Sequence, residues 1–589
     1  MITPNKPPRG TLARGSSIRA DLSGPPPEQR GYWYQHAFFY GLDLRRFQDS
    51  DGDGMGDIQG CLGRLDYLQE LGVDTIWLLP FYDSPLRDNG YDVRDYYRID
   101  PRVGSMAEFM ELVDAVHGRG MHIIIDLVMN HSSNEHPWFE AARRDPQSRY
   151  HNYYIWSEER PEDTRQEPIF PGEEEDVWTH DPVADAYYFH RFYHFQPDLR
   201  TSNPSVQEEI LRVMDYWLAL GVDGFRIDAA PLMLEEKGLP ITRMNDPHKL
   251  FRDLHDYAVA RRPDVVLLGE ANLSMEQMDE FFGGGSEMNM LFNFQLGPHI
   301  LLSFEHNNAR PICEYLKALL DPPANDQWLN FLRNHDELSL EVMPPPQKEA
   351  IFEAFAPDKD MRIYERGIRR RLAPMLADFG KDRGPEAARA RLELAFSLLF
   401  STPGTPVVMW GDELGMGDDL SRKGREPARA AMQWDDSKNG GFSQADETYA
   451  PIIREGPFTY TKVNAALQQA DPHSLYHFIR QIATLRRTHP NIGLVHNQVI
   501  EPKPEDERVL IHCYPPLPEG QAEPLYLFHN LSDAPDTVTL PLPRSVEAIF
   551  GTGRLRATDD AQPDEDNPLW TVDLPAYGYL WVRADEQQT

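Results

Sequence analysis

From Tyr34 onward, short apolar runs alternate with segments whose apolar residues recur every three to four positions. His36–Tyr40, Thr75–Phe81, His122–Met129, Gly224–Ile227, Val265–Gly269, Met290–Phe294, Trp328–Leu332 and Pro406–Trp410 read as strands buried on both faces. Leu62–Leu71, Met106–His117, Pro204–Leu220 and Ala387–Leu399 carry helical spacing between them. Strands alternating with helices in this way predict an α/β fold, a (β/α)8 TIM barrel. The rhythm breaks after the third strand, where 131–199 forms an insertion crowded with aromatic, imidazole and acidic residues, as a substrate-facing subdomain would be. It breaks again after the seventh strand, at Pro344–Pro346 and a basic, helix-like run, Arg362–Leu376. Past about residue 495 the pattern becomes strict alternation, in Val509–Tyr514, Leu525–Asn530, Thr537–Leu540, Trp570–Leu574 and Tyr579–Val582, which predicts an all-β sandwich domain. The expected organisation is a polar leader (1–31), the first part of the barrel (32–130), subdomain B (131–199), the second part of the barrel (200–494) and the C-terminal β domain (495–589).

Composition narrows the partners. With 94 acidic against 58 basic residues, the formal charge is −36, which repels phosphate backbones and anionic lipid. Neutral or cationic ligands suit this surface, and neither nucleic acid nor membrane is expected as a partner; a homo-oligomer remains open. The same excess of acid also fits plain solubility or adaptation to salt. Cys61, Cys313 and Cys513 are odd in number and far apart, which suits a reducing, cytoplasmic setting over a disulfide frame. No apolar run reaches the roughly eighteen residues of a membrane span.

The candidate chemistry sits at strand ends. In a β/α barrel the active site is built at the C-terminal mouth, and four strands finish in charged or imidazole groups: Asp126 with Asn130-His131, Arg226 with Asp228, Glu270, and His335-Asp336. Arg226 and Asp228 lie two apart and so share a face of their strand. Taken alone that pair favours an ordinary structural ion pair, but three carboxylates gathered on different strands raise at least one pKa and are tolerated mainly where they serve function. A retaining glycosidase needs two carboxylates about 5–5.5 Å apart, one nucleophilic and one an acid/base. Asp228, held ionised by Arg226, suits the nucleophile. Glu270, behind the apolar run Val265–Gly269, suits the acid/base. Asp336, His131 and His335 would stabilise a cationic transition state or grip sugar hydroxyls.

Asp126-Leu-Val-Met-Asn130-His131, Gly224-Phe-Arg-Ile-Asp228, Glu270 and Asn334-His335-Asp336 resemble the four signature regions of glycoside hydrolase family 13, the α-amylase superfamily, and Gln196-Pro-Asp-Leu199 is similar to its fifth. By this resemblance Asp228 is the nucleophile, Glu270 the acid/base and Asp336 the third carboxylate, with His131, Arg226 and His335 contacting the glucose that reacts. Asn89-Gly-Tyr-Asp92 and Met432-Gln433-Trp434 resemble the branch with closed pockets for small α-glucosides, which implies Asp92 and Arg429 as substrate contacts; Ala430-Ala431 replaces the Thr-Pro usual there. Leu332–Glu341 and Gly367–Pro374 look like segments of the trehalose synthases, which interconvert maltose and trehalose by intramolecular glucosyl transfer. Arg200 and the loop Ser421–Arg429 depart from that pattern. The resemblance therefore implies either that isomerase or an α-glucosidase hydrolysing maltose, trehalose or sucrose with the same carboxylates. Such an isomerase must keep water out, a role the charges of Arg362–Leu376 would fill unless they form a solvated helix face.

Asp49, Asp51, Asp53 and Asp57 stand at positions 1, 3, 5 and 9 of a loop with Gly54 at 6 and the Met55 carbonyl at 7. This spacing wraps a chain around a hard cation, and structural Ca2+ is expected there, although Gly60 replaces the EF-hand's final Glu. The resemblance supports that loop and implies a second calcium site at Asn130 and Asp198, with Glu235 as a third ligand.

Overall fold

The computed structural model describes residues 32–162, 166–235, 237–238, 246–500, 507–517, 522–558 and 568–584. The polar leader 1–31 lies outside them. Eight parallel strands close a barrel: β1 (Phe39–Leu42), β2 (Thr75–Leu78), β3 (His122–Leu127), β4 (Gly224–Ile227), β5 (Val266–Gly269), β6 (Met290–Asn293), β7 (Gln327–Asn330) and β8 (Thr405–Met409). Each pairs with its neighbours in sequence, and β8 closes on β1. All eight are buried along their length except the first residue of β3, because helices cover the outside and side chains fill the inside. The runs Thr75–Phe81, His122–Met129 and Trp328–Leu332 outlast their strands, and their last residues lie at the mouth.

Met106–His117 begins with Ser105 and Glu108 satisfying one another's backbone amides, the reciprocal cap that starts a helix. Leu62–Leu71 instead divides into Ile58–Leu62 and Leu65–Leu71, with Gly63 between them. The larger departure is the basic run. Arg362–Ile363 and Gly367–Ile368 form an antiparallel hairpin that also pairs with Leu338–Ser339, and helix begins only at Leu372. Tyr364 and Glu365, at φ +53° and +56°, are incompatible with right-handed helix.

The 131–199 insertion carries a three-stranded sheet, Trp156–Ser157, Ala186–Phe189 and Trp178–Asp181, around a small core of Ile155, Val177, Trp178 and Phe189. Beyond residue 495 a five-stranded and a three-stranded antiparallel sheet enclose Val509, Phe528, Val538, Val572 and Val582. This C-terminal domain meets the barrel helix Gly384–Ser401 through a dry seam. There Trp581 Nε1 donates to Ser397 Oγ (3.0 Å), Tyr514 Oη donates to the Ser401 carbonyl (2.8 Å), and His529 Nε2 lies 3.0 Å from Ser397 Oγ. His512 and His529 stack at 5.5 Å and are fully buried. No helix among the described residues is long and apolar enough to cross a membrane.

Candidate active site

Strand register assembles the centre. Asp126 on β3 is level with Arg226 on β4, and Arg226 is level with Leu268 on β5, two residues before Glu270 at the end of that strand. Arg226 is 2% exposed and its guanidinium serves three carboxylates. Nη1 contacts Asp126 Oδ2 (2.9 Å) and Asp228 Oδ1, while Nη2 contacts Glu270 Oε1 (2.9 Å). Asp228 and Glu270 are thus brought to one planar cation, which fixes their approach to each other. Glu270 Oε2 also accepts from the Ala229 amide (2.9 Å), and Ala229 holds φ +46° immediately after the proposed nucleophile. Asp126 is closed off by Trp77 Nε1 (2.5 Å) and Tyr91 Oη (2.8 Å), and so acts as an anchor for Arg226.

Burial pushes both Asp228 and Glu270 up to about 7. Arg226 opposes the shift; Asp336 and, for Asp228, Asp126 reinforce it. The expectation that Arg226 alone would hold Asp228 ionised is corrected here, because desolvation outweighs one ion pair. Two carboxylates on one guanidinium titrate together: losing the first proton opposes loss of the second. Near neutrality the pair shares one proton, and Arg226 reaches both carboxylates. One anion and one acid is the state a retaining double displacement requires.

Asp336 is held in the opposite way. Arg425 and Arg429 both contact its Oδ1, the latter at 2.9 Å, and they hold its carboxyl well below the usual range despite burial. Arg429 also donates to the His335 carbonyl (2.7 Å). His335 Nε2 lies 3.2 Å from Asp336 and 2.8 Å from Tyr91 Oη, and burial keeps its ring neutral. His131 is buried with Nε2 3.2 Å from the Tyr91 carbonyl.

Two assignments change. Asp92, expected as a sugar contact, is fully buried and turned into its own loop, accepting from Ser84 Oγ (2.9 Å) and from the amides of Arg87 and Asp88 (3.1 and 3.2 Å). What it holds in place is Asp88, whose Oδ1 lies 3.3 Å from Arg425 and whose Oδ2 accepts from Gln196 (3.0 Å). Arg425, rather than Arg429, bridges this acid to Asp336. Sequence gave no sign of Arg425 because its loop is irregular; the run Arg369-Arg370-Arg371 positions it. Arg369 donates to the carbonyls of Arg422 (2.7 Å), Gly424 (3.2 Å) and Leu420 (3.2 Å), Arg370 pairs with Asp418 (3.2 Å), and Arg371 donates to the Ala428 carbonyl (2.9 Å). With Arg370 and Arg371 at 4% and 0% exposure, a solvated helix face is excluded.

The second calcium site is also corrected. Lys237 Nζ sits 2.6 Å from Asn130 Oδ1, 3.0 Å from Asp198 Oδ2 and 3.1 Å from the carbonyls of Asn130 and Leu199. An ammonium thus takes the cation's place, while Glu235 pairs with Arg191. In the other loop Asp49, Asp51 and Asp57 each bring a carboxylate oxygen within 4.8 Å of the others. Asp53 titrates higher than usual, through burial and then crowding by Asp51, Asp49 and Asp57. That convergence of hard oxygens fits calcium.

Comparison with known proteins follows the same lines. The α-amylase catalytic-domain family matches residues 44–341 and 373–494. The chain belongs to the α-amylase family, glycoside hydrolase family 13. Within the family, it is 42% identical over 559 residues to "Trehalose synthase/amylase TreS" of Mycobacterium tuberculosis (strain CDC 1551 / Oshkosh), covering 94% of this chain and 90% of that protein. It is 41% identical over 513 residues to the trehalose synthase of Thermus thermophilus, covering 87% of this chain and 51% of that protein. Among solved structures, the α-amylase of H. orenii superposes with a TM-score of 0.72 at 27% identity, covering 94% of this chain and all of that one.

Proposed function

We propose that this protein interconverts maltose and trehalose through a covalent glucosyl-enzyme. Asp228 attacks the anomeric carbon of the non-reducing glucose while Glu270 gives its proton to the departing glycosidic oxygen. Free glucose and a glucosyl ester on Asp228 result. Glucose then turns so that its own anomeric hydroxyl attacks the anomeric carbon of the bound glucosyl unit, Glu270 removes that hydroxyl's proton, the bond from that carbon to Asp228 breaks, and Asp228 leaves as carboxylate. Asp336, fixed by Arg425 and Arg429, stands to grip sugar hydroxyls and to stabilise positive charge on the ring. The observation that carries this reading is the paired reach of Arg226 to Asp228 and Glu270. Similarity to trehalose synthases along nearly the whole chain supports the choice of product. The competing outcome is hydrolysis, in which water takes the place of the returning glucose.

Incubation with maltose, trehalose and sucrose side by side is the test. Trehalose formed from maltose ahead of free glucose is expected, together with the reverse conversion. Glucose as the sole product would leave an α-glucosidase. We further propose that Ca2+ is held by Asp49, Asp51, Asp53, Asp57 and the Met55 carbonyl, stiffening a loop without entering the chemistry. A cytoplasmic setting fits the odd number and wide spacing of Cys61, Cys313 and Cys513 in the sequence.

A further inference from the structure

The hairpin that replaces the expected basic helix carries a costly choice of residues. Between Ile363 and Gly367 the chain reverses through Tyr364 and Glu365, both in the left-handed region. Such turns favour Asn and Gly, which adopt that conformation with least strain. A bulky aromatic there indicates that its side chain is needed where the turn puts it. The Tyr364 ring lies 4.9 Å from that of Phe170, a residue of the inserted subdomain. Phe170 in turn packs on Phe192 (5.5 Å) and Tyr193 (4.8 Å). The Arg425 guanidinium sits over its face at 4.9 Å while reaching Asp336 and Asp88. From the hairpin side, Arg366 covers Tyr364 (5.5 Å) and pairs with Glu337 (3.4 Å), next to Asp336. Two separate insertions of the barrel therefore meet through this aromatic contact at the edge of the catalytic cluster.

We propose that Tyr364 is a specificity-determining residue: its ring, seated on Phe170, closes the site to chains longer than two sugars. The bar is made of side chains from different insertions, so removing either ring opens it without touching Asp228 or Glu270. The inference rests on the α-glucoside reading above.

The test compares kcat/KM for maltotriose and maltose in wild type, Tyr364→Asn and Tyr364→Phe. Asn suits the turn and lacks the ring, so its maltotriose-to-maltose ratio rises at least about tenfold, whereas Phe keeps the ring and stays within about twofold of wild type. Phe170→Leu attacks the same contact from the other side and gives the same rise, which covers a Tyr364→Asn protein that fails to fold. An unchanged ratio in a folded Tyr364→Asn or Phe170→Leu protein overturns the proposal, as does Tyr364→Phe behaving like Tyr364→Asn. A wild type that only hydrolyses maltose sinks the isomerase reading alone, because the ratio still decides this one. A wild type inert on both sugars sinks the α-glucoside reading and this inference with it.

Discussion

At the scale of single residues, one arginine governs the chemistry and another the shape of the site. Arg226 touches Asp126, Asp228 and Glu270, and the one proton that Asp228 and Glu270 share limits the pH range. Glu270 is pushed up to about 7, so the acid form declines as pH rises through that value and maltose turnover falls on the alkaline side. Initial rates between pH 5 and 9 should show this limb near 7, and Glu270→Gln should abolish it along with turnover. Arg425 spans Asp336 and Asp88 with two nitrogens of one planar fork. Lysine offers a point charge in place of that fork. Arg425→Lys should therefore lower kcat/KM for maltose by about 10–100-fold, the cost of a misplaced clamp. An equal rate would show that charge alone suffices there.

The same residues show what a sequence can and cannot reveal. Arg226 and Asp228 are two apart on a strand, and the pleat alone sets them on one face. Asp88 and Asp92 share a loop whose backbone passes through positive φ at Leu86, Asn89 and Gly90. Spacing cannot tell which carboxylate such a loop turns inward. Arg425 carries no periodic signal, because carbonyls donated to by Arg369 and Arg371 hold its loop. Lys237 belongs to no motif in the sequence, and only the fold brings it to Asn130 and Asp198.

Among elements, the junction between barrel and inserted subdomain depends on that lysine. Its ammonium gathers the carbonyls of Asn130 and Leu199, one side-chain amide oxygen and one carboxylate, all buried. Lys237→Ala leaves Asp198 as an uncompensated buried charge and should cost about 3–5 kcal/mol of stability. Thermal unfolding checks this, and millimolar CaCl2 should raise the melting temperature of the variant more than that of wild type, because the vacated oxygens suit a hard cation. Equal responses would show that the lysine does not stand in for a metal. The barrel strands were legible because apolar runs buried on both faces have no other plausible home. The basic run was not, because its charges are satisfied inside the protein by loops far off in sequence. Gly367 and Pro374, both inside the supposed helix, argued against the helical reading.

For the whole molecule, the charge of −36 acts against compactness through self-repulsion. Raising NaCl from low to moderate concentration should therefore raise the melting temperature, and a flat profile would show the acidic surface to be neutral in its effect on stability.

The stacked pair His512 and His529 has a consequence of another kind. Burial pushes His512 down to about 3 and His529 well below its ordinary value, so the folded protein holds both rings neutral while the unfolded chain protonates them near 6.5. Stability from these rings is intact above that pH and drains away as the medium turns sour, toward about 3. Acid should therefore prise the β domain from the barrel before the catalytic core yields. Hydrogen exchange in weak acid would then report early opening of Val509–Tyr514 and Leu525–Asn530.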